Sequence, residues 1–291
     1  MKDYVIRAMT EGGEMRAFFA DTTELVEKAR NLHNTTKVAT AALGRTLTAT
    51  SIMGLMMKNL GDKLTVILKG GGPIGTILVT SDAKGIVKGY VTNPGVEVED
   101  YPNGKLNVAG AVGNDGFLKV IKDFGLKEPY NGSYPILSGE IAEDFTNYLA
   151  MSEQTPSVVA LGVLTTVDEV IHSGGFIIQL MPESTDESIT KLEENLKELP
   201  SVTQMMQDGF TPEDMLAKVL DGFNPRVLEK DEIAFECDCS RERMEQALIS
   251  LGTKHLTEMI EEDHGAEIGC QFCNKKYDFT EDELQEMVDN L

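Results

Sequence analysis

The feature that most constrains this chain is the placement of its cysteines. All four fall in the last quarter, as Cys237-Asp238-Cys239 and Cys270-Gln271-Phe272-Cys273, with 30 residues between the two pairs. A Cys-x-Cys or Cys-x-x-Cys knuckle delivers two sulfur ligands from one short piece of chain, and two knuckles complete the tetrahedral set of a structural zinc site. Residues 233–291 are too few to bury a large core, and structural zinc contributes roughly 10–16 kcal/mol of apparent binding free energy to folding. Phe235 and Phe272 are expected to pack beside the metal.

Three uses of such a site compete. The first is a purely structural zinc. The second is a disulfide framework, which belongs to secreted proteins, and nothing in this chain signals secretion. The third is a redox switch: zinc-bound sulfurs stay deprotonated, and the thiolate is the form that oxidants attack.

A long cysteine-free body, an acidic connection, then Cys-x-Cys and Cys-x-x-Cys near the C-terminus resembles the thirty-three-kilodalton heat-shock chaperonin family, the redox-regulated holdases. The order of parts matches over the whole chain, and the cysteine spacing is the specific portion. The resemblance implies that Cys237, Cys239, Cys270 and Cys273 bind one zinc ion when reduced. It further implies that oxidation joins Cys237 to Cys239 and Cys270 to Cys273, releases the zinc and unfolds the connection.

Charge is distributed unevenly. The formal net charge is −22, and residues 182–291 carry −18 of it, with 28 acidic against 10 basic side chains. An acidic region repels phosphate backbones, so a nucleic-acid partner is not expected. The first residues lack the apolar run of a signal peptide, and no stretch is long and apolar enough for a membrane span, so a cytoplasmic protein without a membrane partner is expected.

Along the body, Tyr4–Met9 and Met15–Ala20 around Glu11-Gly12-Gly13 predict a hairpin. Helices are predicted from Thr22 or Thr23 to Asn34, and from Thr36 to Lys58, the latter rich in Ala, Leu and Met and largely buried. Leu64–Lys69, Gly75–Thr80, Ile86–Thr92, Leu106–Val112 and Phe117–Phe124 predict a meander of strands. A helix over Gly139–Ser152 and strands over Val158–Thr166 and Gly175–Met181, turning at Gly174-Gly175, complete residues 1–181. Glycine pairs at Gly12, Gly71 and Gly174 hint at a worn repeat. The fold class is α+β: a twisted, mostly antiparallel sheet with packed helices, followed by a helical linker over 182–232 and a small zinc-binding domain over 233–291.

The linker carries apolar residues at helical spacing, Ile189, Leu192, Leu196 and Leu199, and a strong helix start at Thr211-Pro212-Glu213-Asp214. Its 13 acidic and 5 basic side chains oppose compaction while its apolar stripes need covering. Helices are also predicted at Arg241–Leu251, Lys254–Glu262 and Phe279–Asn290.

Other motifs carry less. Gly70-Gly71-Gly72 fits no phosphate-binding pattern and reads as a turn. His255 and His264 lie between the knuckles and are alternatives to a thiolate ligand, although four cysteines already fill a tetrahedron. There is no catalytic constellation, so an enzyme is not expected. The methionines Met53, Met56, Met57, Met205 and Met206 either adapt to varied clients or fill a core. The resemblance therefore implies an ATP-independent holdase that captures unfolding client proteins under oxidative stress, and the apolar surface newly exposed on oxidation predicts self-association as a homodimer. The alternative is a constitutive zinc-ribbon adaptor that binds a basic protein when reduced.

Overall fold

Apolar residues on both faces of the first two strands set the layering. β1 (Tyr4–Met9) and β2 (Met15–Asp21) form the predicted hairpin in the register Tyr4↔Asp21 to Met9↔Arg16. Val5 and Phe18 point to one core, while Tyr4, Ile6, Ala17 and Phe19 point to another. Strand side chains alternate between faces, so a sheet that is apolar on both sides must be covered on both sides. The computed structural model describes residues 2–291. They fall into two compact units that meet in sequence between Glu236 and Cys237.

In the first unit, α1 (Thr23–His33) leads into α2 (Lys37–Leu55), the helix around which the first core is built. Seventeen of its residues are buried, all but Lys37 and Arg45. The buried hydroxyls of Thr46, Thr48 and Thr50 donate to the carbonyls of Ala42, Gly44 and Thr46 within the helix, while Ser51 donates to the Gly85 carbonyl and Thr48 also pairs with the Thr22 hydroxyl, so these buried hydroxyls are satisfied. Gly54 is needed for close approach: a Cβ there would lie 2.2 Å from the Ser81 hydroxyl and 2.4 Å from the Asp82 carbonyl oxygen.

Then come β3 (Lys63–Lys69), β4 (Thr76–Asp82), β5 (Val87–Val91), α3 (Val108–Val112), β6 (Phe117–Asp123), β7 (Tyr130–Pro135), α4 (Ala142–Met151), β8 (Ser157–Thr165) and β9 (Val170–Leu180). Residues 182–232 supply α5 (Asp186–Lys197), α6 (Val202–Gln207), α7 (Pro212–Val219) and β10 (Arg226–Glu232). Instead of one sheet there are two, ordered β10-β1-β2-β9-β8 and β5-β4-β3-β6-β7, all antiparallel. α2 packs against strands of both.

Several local expectations are corrected. Leu106–Val112 does not form a strand; Asn107 caps α3 by accepting from the Gly110 amide, and Gly113 ends it. The β8–β9 turn falls at Thr166–Glu169, where the Thr166 amide donates to the Glu169 carbonyl, and Gly174-Gly175 lies inside β9. The idea of glycine pairs opening strands in a repeat fails at that position. Gly70-Gly71-Gly72 is the β3–β4 turn, and Gly70 and Gly72 pass so close to the carbonyls at 111–113 that a Cβ would come within 2.3–2.4 Å.

The end of the first unit is anchored. After β10, Ile233 and Phe235 are buried in the first core, the Val87 amide donates to the Ala234 carbonyl, and the Glu236 amide donates to the Val87 carbonyl. Phe235 is 1% exposed and meets the His33 ring edge-on at 6.4 Å. It therefore belongs to the body core, which corrects the expectation that it packs beside a metal.

The second unit contains α8 (Arg241–Ser250), α9 (Thr253–Glu258), a single π-type turn at Met259–Asp263, β11 (Gly265–Gly269), β12 (Lys276–Thr280) and α10 (Glu281–Asp289). Leu248, Leu256, Tyr277, Phe279, Leu284 and Met287 form its buried core. Six side chains are a small core for an independent unit, and units of this size commonly depend on a metal or disulfides.

Candidate metal centre and the covered sheet face

The second knuckle is the connection of a hairpin. β11 and β12 pair from Gly265↔Thr280 to Gly269↔Lys276, which leaves Cys270 to Lys275 as the loop. The Cys270 amide donates to the Lys275 carbonyl at 2.9 Å, and the Asn274 amide donates to the Cys270 carbonyl at 2.8 Å. Asn274 takes the left-handed conformation, φ 56°, which asparagine tolerates better than most residues. The first knuckle is braced by the start of α8. Ser240 caps that helix, and Arg243 in its first turn donates to the Asp238 carbonyl at 3.1 Å and pairs with the Asp238 carboxylate.

These two loops bring the four sulfurs within 4.8 Å of one another. Cys237 and Cys270 Sγ are 3.7 Å apart, and Cys239 and Cys273 Sγ are 3.3 Å apart. None is in a disulfide. A tetrahedron with metal–sulfur bonds of 2.3 Å has edges of about 3.8 Å, so the spacing and the donor set fit a single ion that prefers thiolates. Neither histidine joins the cluster: His255 Nδ1 pairs with the Leu251 carbonyl and His264 with Glu281.

Sequence reasoning missed Tyr277, whose hydroxyl donates to Cys239 Sγ at 3.1 Å. The available signal was position, since a strand residue just past the knuckle returns toward the sulfurs. Burial opposes ionisation of Cys239, but the Tyr277 hydrogen bond and the neighbouring thiols outweigh it and bring Cys239 down to about 7. Burial pushes the Cys237 thiol up. Phe272 is half-buried.

The other feature of consequence is in the first unit. Tyr4, Ile6, Ala8, Met15, Ala17, Phe19, Phe176 and Ile178 make a continuous apolar face on the β10-β1-β2-β9-β8 sheet. Residues 182–232 cover it with Leu192, Val202, Met205, Met206, Met215, Leu216, Val219, Leu220 and Phe223. Met205 and Met206 are therefore core residues in this arrangement, as is Met53 in the first core. One tie joins strand, linker helix and edge: Tyr4 donates its hydroxyl proton to Glu213 at 2.7 Å, and Lys230 pairs with Glu213 at 3.0 Å while lying 3.6 Å from the Tyr4 ring centroid. No helix among the described residues is long and apolar enough to cross a membrane.

An α+β body whose apolar sheet face is covered by its own chain, joined to a small unit with four converging cysteines, is the class of protein defined here. The family model described as Hsp33 protein matches residues 3–280. The chain is 66% identical to the 33 kDa chaperonin of Clostridioides difficile over the full length of both, and 51% identical to that of Alkaliphilus metalliredigens, again over both full lengths. The crystal structure of the 33 kDa chaperonin from Thermotoga maritima superimposes with a TM-score of 0.91 at 35% identity, covering 100% of this chain and 99% of that one. The chain belongs to the Hsp33 family of chaperones.

Proposed function

We propose that this chaperone is an ATP-independent holdase switched on by oxidation of Cys237, Cys239, Cys270 and Cys273. The observation that carries the reading is the sulfur tetrahedron: four unbridged cysteines at zinc-like spacing in a unit with a six-residue core. Zinc held by the four thiolates would supply the folding free energy that this core lacks. Peroxide-class oxidants take two electrons from each pair of thiols as a disulfide forms, which removes the donors that retain the ion. Residues 237–291 then unfold, the acidic linker loses its downstream support, and the sheet face of Tyr4, Ile6, Phe19 and Phe176 opens to unfolding clients.

Pairing within each knuckle, Cys237 with Cys239 and Cys270 with Cys273, follows from the family resemblance. A tetrahedral cluster brings every pair within reach, so bridge mapping after oxidation is the test of that point. The setting is a reducing cytoplasm that turns oxidising under stress, and newly opened apolar surface favours a homodimer of the oxidised form.

The experiment is to treat zinc-loaded protein with peroxide and follow metal release, free thiols and suppression of client aggregation together. The expected result is that all three change in step. Bridge formation and zinc loss with no gain in aggregation suppression refute the reading.

A further inference from the structure

The outer edge of β1 is a strand-binding seat filled by a poorly fitting strand. β10 pairs with β1 over six positions, from Tyr4↔Glu232 to Met9↔Arg226, with a bulge between Arg7 and Ala8. None of the seven residues of β10 is buried, whereas Tyr4, Val5, Ile6 and Ala8 of β1 all are. β10 is held by backbone pairing and by rim charges: Lys2–Glu232, Arg7–Glu229 and Lys230–Glu213. Exposed ion pairs of this kind add little.

One position is a misfit. Asp231 lies opposite Val5, and its Oδ2 is shut off from solvent with no hydrogen-bond partner. Burial holds that carboxyl above its usual range, with Arg7 opposing and Glu229 reinforcing the effect. A carboxylate oxygen shut off from solvent without a donor weakens the strand that carries it. Val227 and Leu228 are 42% and 47% exposed, so the apolar part of β10 is only partly used against the body.

We infer that β1 is a latent site for β-strand addition, and that its occupant in the active protein is an extended, apolar segment of an unfolding client that replaces β10. Backbone amides and carbonyls would supply affinity without sequence preference, and alternate side chains of the segment would reach the same apolar face that the linker vacates. A β-branched residue opposite Val5 fits where Asp231 does not. This inference rests on the proposed release of residues 182–232.

The test is hydrogen exchange on the full-length protein, read over Tyr4–Met9, in the reduced state, the oxidised state, and the oxidised state with a short peptide alternating valine and threonine. A control peptide carries N-methyl groups on alternate amides, which removes one hydrogen-bonding edge. The expected result is loss of protection on oxidation, recovery of about tenfold or more with the plain peptide, and none with the methylated one. The variant Asp231→Val, which seats β10 better, should then need about tenfold more peptide for the same recovery. If oxidation leaves β1 protected, both the release of the linker and this inference fail. If β1 loses protection and client aggregation is suppressed with no recovery on peptide addition, this inference alone fails. Recovery that grows with protein concentration in the absence of peptide assigns the edge to a second copy of the chain, and overturns it too.

Discussion

At the scale of single residues, two carboxylates and one phenol matter most. Asp144 accepts from the backbone amides of Leu137, Ser138, Gly139 and Ile141, and so holds Ile141, buried and β-branched, at φ 63°. Asp144→Ala leaves these donors unpaired and releases a strained turn, and should lower stability by about 3 kcal/mol or more in urea denaturation. Asp3 is the second: burial raises its carboxyl to about 7, against hydrogen bonds from the Leu25 and Glu24 amides. Since the folded value exceeds the ordinary 3.8, the contribution of Asp3 is intact in acid and is lost as pH rises through about 7. Asp3→Asn should flatten the pH dependence of stability across that window, measured by denaturation at a series of pH values. Tyr277→Phe removes the hydrogen bond to Cys239 and should weaken metal binding about tenfold in chelator competition. The cysteines were legible in the sequence because metal ligation fixes residue type and spacing together. Tyr277 was not, because a phenol gains its role only when the hairpin register turns it toward the sulfurs.

Elements were legible where periodicity and burial agreed. α2 announced itself by small and apolar residues on all sides, and its burial follows from them. Gly54→Ala should cost about 1–3 kcal/mol in denaturant titration, because the added methyl meets Ser81 and the Asp82 backbone. Besides the short helices α3 and α6, two edge strands escaped. β7 begins after Pro129, ends at Pro135 and contains Gly132; β10 is charged at Arg226, Glu229, Lys230, Asp231 and Glu232. Edge strands tolerate proline and favour charge because one side of their backbone stays unpaired, and these residues are what strand propensity counts against. The same logic hid the second sheet: a meander read from sequence has no marker for the point at which one sheet ends and another begins.

At the scale of the whole molecule, the connection over 182–232 is an apolar cover with an acidic exterior, and these properties oppose each other. Leu216→Ala should loosen the cover by about 2–4 kcal/mol, speeding hydrogen exchange over 212–220 and lowering the oxidant dose for aggregation suppression, with zinc affinity unchanged. Added salt screens the repulsion within the linker and should slow its release after oxidation, seen as a longer delay between thiol loss and chaperone activity. A single residue, Glu236, separates the buried ring of Phe235 from Cys237. Fraying that starts among the sulfurs therefore has almost no slack before it must draw an aromatic plug out of a packed interior. Under the proposed switch such a chain would trip rather than loosen by degrees, and small or brief insults would leave it latched.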